Sequence, residues 1–517
     1  VMGAAAFLMV QYTATPFADI IILATIPAIV FFFGVWVMVH LKATQEGIGG
    51  VADAEIVDIR EHMKYGWFYL IPIFLLLYYL IIARLSVSRS AWFTLVALGA
   101  LVTALAAYSK RTRGPLFLAL FAIVGGELLA YTVGGVGVVA LLTGNAGAGL
   151  PVGDAVGVVV GKIGWYLIAA GSLTLLYRPG IDAPYLELDP AVQNSAATVA
   201  DRVDRESLAD NQLFRVVTFA VKSMDEGART AVPVVIAVAA AGIIPGVISV
   251  SGLGPNLTSL LLTLSGGSIV VMLVVTAISS IILGMGMPTT VTYIILISML
   301  ATPLVQFGIP LLAAHLFILY FGVIADITPP VAVAAYAASG VAKSDAYETG
   351  IKAFSLSLNK AIVPFAFVLA PGIVLLREKA GAADLPLRER YRVVGFADLA
   401  ELSYSVPEIL VPVVGVFLGV VALGATVIGT LYTGVGRLER TGFALSSLLL
   451  MAPALLSTSV FDILGLFGVS VAVNDLTVDL ALRAVGLAIF LALVVKNRRE
   501  AAAETPASDV EERPEPA

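Results

Sequence analysis

The sequence predicts an all-α, polytopic membrane protein, and three observations carry that prediction. Of 517 residues, 59% are hydrophobic and 13% charged, with a mean hydropathy of +0.98; soluble domains are about 25% charged. Many windows reach the ~20 apolar residues that a helix needs to cross a bilayer. These runs are continuous rather than alternating, which argues against a transmembrane β-barrel.

The same numbers exclude several functions. There is no cysteine, so disulfides and thiolate metal sites are ruled out. The net charge is −6, much of it in the tail and in 180–210, and no basic field for nucleic acid exists. No His-Glu-x-x-His pair and no Gly-x-Ser-x-Gly elbow occurs, so an enzyme is not expected.

Taken in order, Val1 falls inside an apolar segment with no charged n-region before it, so residues 1–9 do not read as a signal peptide. The chain reads as beginning partway through a protein. Spans are predicted at about 17–39, 65–83, 91–109, 115–142 and 156–177. The cluster Lys110-Arg111-Thr112-Arg113 is placed in the cytoplasm by the positive-inside rule. Counting outward, 40–64 and 178–230 are inside, while 84–90 and 143–155 are outside. Gly157-Val-Val-Val-Gly161-Lys162 superficially matches a phosphate loop, but it is one residue short and Ile163 replaces the required hydroxyl.

Residues 181–230 read as an acidic cytoplasmic linker, with a helix near 196–209 and an interfacial helix over 212–230. Arg229 is an interfacial anchor, and His40 and His62 lie at membrane edges. A span follows over 231–250, and then the region on which the functional reading rests. Leu283-Gly284-Met285-Gly286-Met287-Pro288-Thr289-Thr290 interrupts one apolar run, and Ala325-Asp326-Ile327-Thr328-Pro329-Pro330-Val331 interrupts another. Glycine frees the backbone and proline withholds an amide. The unpaired peptide groups that result are tolerated at membrane depth only where protein, water or an ion meets them. Paired breaks point to the binding site of a secondary transporter. Residues 268–304 therefore read as a re-entrant hairpin, and 311–341 as one discontinuous helix.

The chemistry of the breaks follows. Unwound backbone at Gly284 and over 325–331 offers carbonyls, and Thr328 a hydroxyl, to a hard monovalent cation. An anionic substrate prefers helix N-termini, here starting at Pro288 and Pro330, with the hydroxyls of Thr289 and Thr290 beside the first. Alternatively those threonines bond their own helix carbonyls. Asp326 supports the ion, carries a proton or caps the following half-helix. His315 reads as a buried, hydrogen-bonded histidine.

Lys343, Lys352 and Lys360 suggest a cytoplasmic connection before a crossing over 361–376. The loop 377–407 is then outside, although Arg377, Lys379, Arg388, Arg390 and Arg392 run against the charge rule. Spans near 408–432, 442–463 and 478–495 close the membrane portion, and the acidic tail 496–517 is expected to be disordered.

Gly284-Met-Gly-Met-Pro-Thr-Thr290, His315 to Tyr320 and Ala325-Asp-Ile-Thr-Pro-Pro-Val331 resemble the large, DctM-like membrane subunit of TRAP transporters, closest to the TAXI-type fused permease. Glu226-Gly-Ala-Arg229 and Ala241-Gly-Ile-Ile244 fit the same pattern. The likeness is specific over 223–376, weaker over 1–50 and poor over 115–210 and 377–405; spans 115–177 are read as additions. The resemblance implies an ion-transporter-superfamily inverted repeat whose second copy is the core 231–376. It also implies that residues 1–9, which echo 331–337, end an incomplete first repeat within 1–110. Carried over residue by residue, it assigns sodium to Gly284, Ala325, Thr328 and Val331. No other cofactor is implied.

The expected function is sodium-coupled uptake of organic carboxylates across the cell membrane. The implied partners are an extracytoplasmic solute-binding protein and a small four-helix membrane subunit, fused or separate. Two alternatives remain open at this stage: a binding-protein-independent anion/sodium symporter, and a membrane scaffold without an ion site.

Overall fold

The computed structural model describes residues 3–49, 59–178, 186, 188–379, 381–382, 385–466 and 475–504. Among them, seven helices are long and apolar enough to cross a membrane, or up to nine if each of two bent pairs counts as one span. The protein is an all-α polytopic membrane protein. The chain divides into two compact units, Ala52–Val234 and Val1–Val51 with Val235–Ala517.

In the first unit, Val87–Ala107 lies against Ile163–Tyr177, and Arg113–Gly134 packs on that helix and on Val152–Gly161. Small residues let these backbones approach: a Cβ on Gly171 would stand 3.0 Å from the Thr103 carbonyl oxygen. The expected span 115–142 stops at Gly134, because Gly135 takes φ +64° and opens a turn before Val138–Leu142. The expected span 156–177 is bent by 64° between Val152–Gly161 and Ile163–Tyr177. At the bend, the Lys162 ammonium donates to the Tyr131 hydroxyl at 2.6 Å. The phosphate-loop-like run is thus the end of a helix.

The linker helix is Pro190–Arg202, earlier than 196–209. Asp189 sets its start, its carboxylate accepting from the Ala191 N–H at 2.7 Å with Pro190 at the first helical position. The expected interfacial helix and the span after it form one unbroken helix, Gln212–Ser251.

In the second unit, Phe17–Glu46 packs on Val411–Ile428, which in turn packs on Arg437–Met451. A Cβ on Gly424 would lie 2.9 Å from Leu41 and 3.1 Å from Val37, and Ser447 Oγ donates to the Gly419 carbonyl at 2.8 Å. One core joins Met9, Leu23 and Met38 near the N-terminus to Leu273, Leu300, Phe317, Phe367 and Val420.

Two expected spans are corrected here, and a loop gains detail. The span 442–463 is bent by 89° between Arg437–Met451 and Pro453–Asp462, where Pro453 has no amide to continue the ladder. The connection 343–360 and crossing 361–376 give way to Ala346–Leu356 and Asn359–Leu369, which together qualify as one span, Ala346–Leu369. The loop 377–407 is ordered around a small antiparallel ribbon, Leu376–Glu378 with Tyr391–Val393, that no helical reading anticipates. Arg377 bridges Asp398 (2.8 Å) and Glu401 (2.7 Å), Arg392 also grips Asp398, and Arg390 pairs with Glu378, so these three arginines are matched by acids of the same loop. Of the expected disordered tail 496–517, residues 496–504 instead continue the helix Asp475–Glu504, and 505–517 lie outside the described residues.

Candidate functional site

The hairpin has two arms. Ile269–Gly284 begins at Ser268, whose hydroxyl accepts from the Val271 N–H, and ends at Met285, which is extended (φ −60°, ψ 128°). Thr289–Gln306 begins directly after Pro288, whose fixed φ of −56° suits a helix start. Its 18 residues are enough to count as a short span by length and composition, whereas the first arm has 16. Gly286 turns the chain between them at φ +77°, a conformation that costs other residues about 1–2 kcal/mol.

The second break follows Leu311–Ala325. Its last turn tightens: the amides of Asp326, Ile327 and Thr328 donate to the carbonyls of Val323, Ile324 and Ala325 at 3.1–3.2 Å. The Thr328 hydroxyl donates to Ile324 O at 2.7 Å, which leaves its oxygen lone pairs available. The Pro329–Pro330 peptide is cis, and Ala332 is held at φ +30°. The next helix begins at Val333. Pro330 therefore does not start it: its carbonyl accepts from the Tyr336 hydroxyl at 2.6 Å, and the Ala334 amide is taken by Asp326 O at 3.1 Å. The N-terminus expected at Pro330 lies three residues later, because both prolines and Ala332 are consumed in the turn. Asp326 meets the following half-helix through its main-chain oxygen, and its side chain is half-buried.

The breaks touch. Gly284 is buried, and a Cβ there would stand 3.0 Å from Ala325 Cβ, 3.0 Å from Thr292 Cγ2 and 3.5 Å from Gly322 O. A Cβ on Gly286 would meet Val331 Cγ1 at 3.4 Å. The hairpin tip thus lies on the 322–331 segment, with glycine where the backbones are closest. The carbonyls of Val323, Ile324 and Ala325 are used in that tightened turn, but those of Val323 and Ala325 keep a second lone pair, and the two helix ends that meet here each bring the negative end of a dipole.

Thr289 and Thr290 stand at the opposite, positive dipole end of the second arm, each 8% exposed. Their hydroxyls have no hydrogen-bond partner among the described residues, so they do not bond back to their own helix.

Two supports escaped sequence reasoning. Tyr293 OH and His315 Nδ1 are 2.7 Å apart, both side chains buried, which ties the second arm to Leu311–Ala325. His315 is the buried, hydrogen-bonded histidine expected, but nothing in the sequence pairs it with a tyrosine 22 positions away. Gly350 packs under the second break, where a Cβ would lie 3.2 Å from Tyr336 and 3.4 Å from Ala332.

A family model described as "Tripartite ATP-independent periplasmic transporter, DctM component" matches residues 1–182 and 208–379, more than half of the chain. The match includes 115–177, which the sequence reading had set apart as additions. Neither the curated proteins nor the solved structures compared contain a match.

Proposed function

This chain belongs to the DctM family of TRAP-type transporters, and from that premise we propose that it is the permease subunit through which a sodium gradient drives uptake of organic carboxylates. As a family member with many apolar helices, it is a multi-pass protein of the cell membrane and a transporter component rather than an enzyme. The observation that carries the finer reading is the contact of Gly284 with Ala325 and Gly322. Two helix C-termini that converge on one point concentrate carbonyl oxygen and negative dipole, which suits a hard monovalent cation. In this reading Gly284, Ala325 and Val331 give main-chain oxygens and Thr328 adds its hydroxyl.

The carboxylate sits at the start of Thr289–Gln306, where N–H groups and the free hydroxyls of Thr289 and Thr290 face it. Pro288 shapes that N-terminus, and Pro330 closes the neighbouring turn. Asp326 supports the ion from the side. Sodium and substrate then occupy opposite dipole ends of the same hairpin, so each steadies the tip that the other needs. That is a physical route to coupling.

The partners proposed are an extracytoplasmic binding protein that delivers substrate and a small four-helix membrane subunit, as in a TAXI-type system. An elevator-like movement of the hairpin-bearing part carries both solutes. Uptake of a labelled carboxylate into proteoliposomes holding all partners tests this. An inward sodium gradient drives accumulation, a potassium gradient does not, and Thr289→Val with Thr290→Val lowers uptake more than tenfold. Uptake that ignores sodium removes the coupling, and uptake without the binding protein favours a two-component symporter.

A further inference from the structure

Residues 380–504 lie beyond the family match, and they enclose much of a cavity of about 320 Å³. Its wall is mostly apolar, including Phe461 and Pro412, with four polar side chains: Glu408, Asp479, Ser457 and Thr458. Irregular backbone at membrane depth is tolerated where it lines a cavity, and two irregularities meet here. Glu408 stands in a widened π turn, Val406–Leu410, inside the span Leu402–Ile428. Ser457 and Thr458 stand just past the 89° bend at Ala452.

The charges decide what the cavity takes. Arg483 is 3% exposed and firmly held: Nε and Nη2 donate to the two Asp479 oxygens (2.6 and 3.3 Å), and Nη1 donates to the Leu450 carbonyl. Asp479 is thereby matched. Glu408 has no hydrogen-bond or ion-pair partner among the described residues, although it is half-buried. One carboxylate is left over, beside two hydroxyls, in an otherwise apolar chamber.

A bare alkali ion does not fit such a space. The cavity of about 320 Å³ is far larger than the shell of oxygens that directly contacts one such ion. Small-molecule pockets start at about 300 Å³ and pair apolar walls with a few placed polar groups. We propose that this cavity binds an organic cation, an ammonium group on a small apolar body, with Glu408 as its counter-ion, Ser457 and Thr458 as hydroxyl partners and Phe461 as an apolar and cation–π wall. The shared chemistry is the ammonium; its source is a free amine or the head group of an ethanolamine lipid. The site is independent of the sodium and carboxylate assignments above.

The test uses the full chain in phosphatidylglycerol nanodiscs with radiolabelled butylammonium, a primary ammonium on a small apolar body. Saturable binding near one per chain is expected, weakened at least tenfold by Glu408→Gln. That change removes an unmatched buried charge and leaves the melting temperature equal or higher. Repeating the titration in discs containing phosphatidylethanolamine separates the sources: competition identifies the lipid head group, and unchanged binding identifies a free amine. Ser457→Phe fills the chamber with Glu408 intact and also abolishes binding. The proposal is overturned if wild type shows no saturable binding, or if Glu408→Gln binds as wild type. If Glu408→Gln fails to fold, Ser457→Phe decides, and wild-type binding by that variant overturns the proposal.

Discussion

The hairpin core and the C-terminal helices both interrupt helices at membrane depth, yet they satisfy the interruption in opposite ways. At 284–332 the polar groups are almost all main chain. Glycine brings two helix ends together, and hydroxyls and one half-buried carboxylate surround them. At 402–483 the bend at Ala452 is held by charge: Arg483 reaches across to Leu450 O while paired with Asp479. Backbone oxygens carry partial charges and part with little desolvation energy when a small cation is exchanged. A buried guanidinium–carboxylate pair is costly to separate. The first arrangement suits a site that loads and unloads, and the second suits a fixed frame.

Substitutions can break or sharpen this contrast. The largest effect belongs to the frame. Arg483→Met leaves the partly buried Asp479 without its partner and Leu450 O without its donor, and costs about 3 kcal/mol. It is read as the loss of folded protein in a thermal scan followed by size exclusion. Substitutions that merely trim a hydroxyl at the second break, such as Thr328→Ala, change the midpoint far less.

Tyr293→Phe is next. It removes the 2.7 Å bond between the Tyr293 hydroxyl and His315 Nδ1 inside the core, at about 1 kcal/mol. The loss appears in thermal stability, while His315→Phe combined with Tyr293→Phe recovers part of it.

The smallest effect is expected outside the membrane. Arg392, the Gly395 amide and Arg377 hold the Asp398 carboxyl well below the usual carboxylate range. Because the folded value is depressed, the stabilisation is complete above the unfolded value of about 3.9 and disappears as pH falls below it. Local opening of 376–401, read as amide exchange divided by its intrinsic rate at each pH, is therefore flat from pH 8 to pH 5 and rises only in stronger acid. Asp398→Asn raises it throughout that plateau.

Much of the fold was legible because bilayer crossing writes itself as apolar length. The hairpin, the half-helix Leu311–Ala325 and the Thr-Pro-Pro break could be located from glycine and proline alone. What stayed hidden depends on geometry between distant residues. No local signal says that Gly284 meets Ala325, that Tyr293 meets His315, or that Tyr336 takes the Pro330 carbonyl. The start at Val333 was missed because proline usually opens a helix, and here two prolines are spent in a turn instead. The ribbon 376–393 was missed because its strands have three residues each, too few for alternation to show.

The proposed coupling needs one exchangeable cation between two helix ends, and the most direct measurement is the melting temperature in sodium against potassium chloride at equal ionic strength, for wild type and Gly284→Leu. A ligand at 100 times its dissociation constant stabilises by about 2.7 kcal/mol. Sodium therefore raises the wild-type midpoint by several degrees, and the leucine, which wedges apart Gly284 and Ala325, removes the difference between the salts. Identical wild-type curves in both salts, or a sodium shift that survives the leucine, would contradict it.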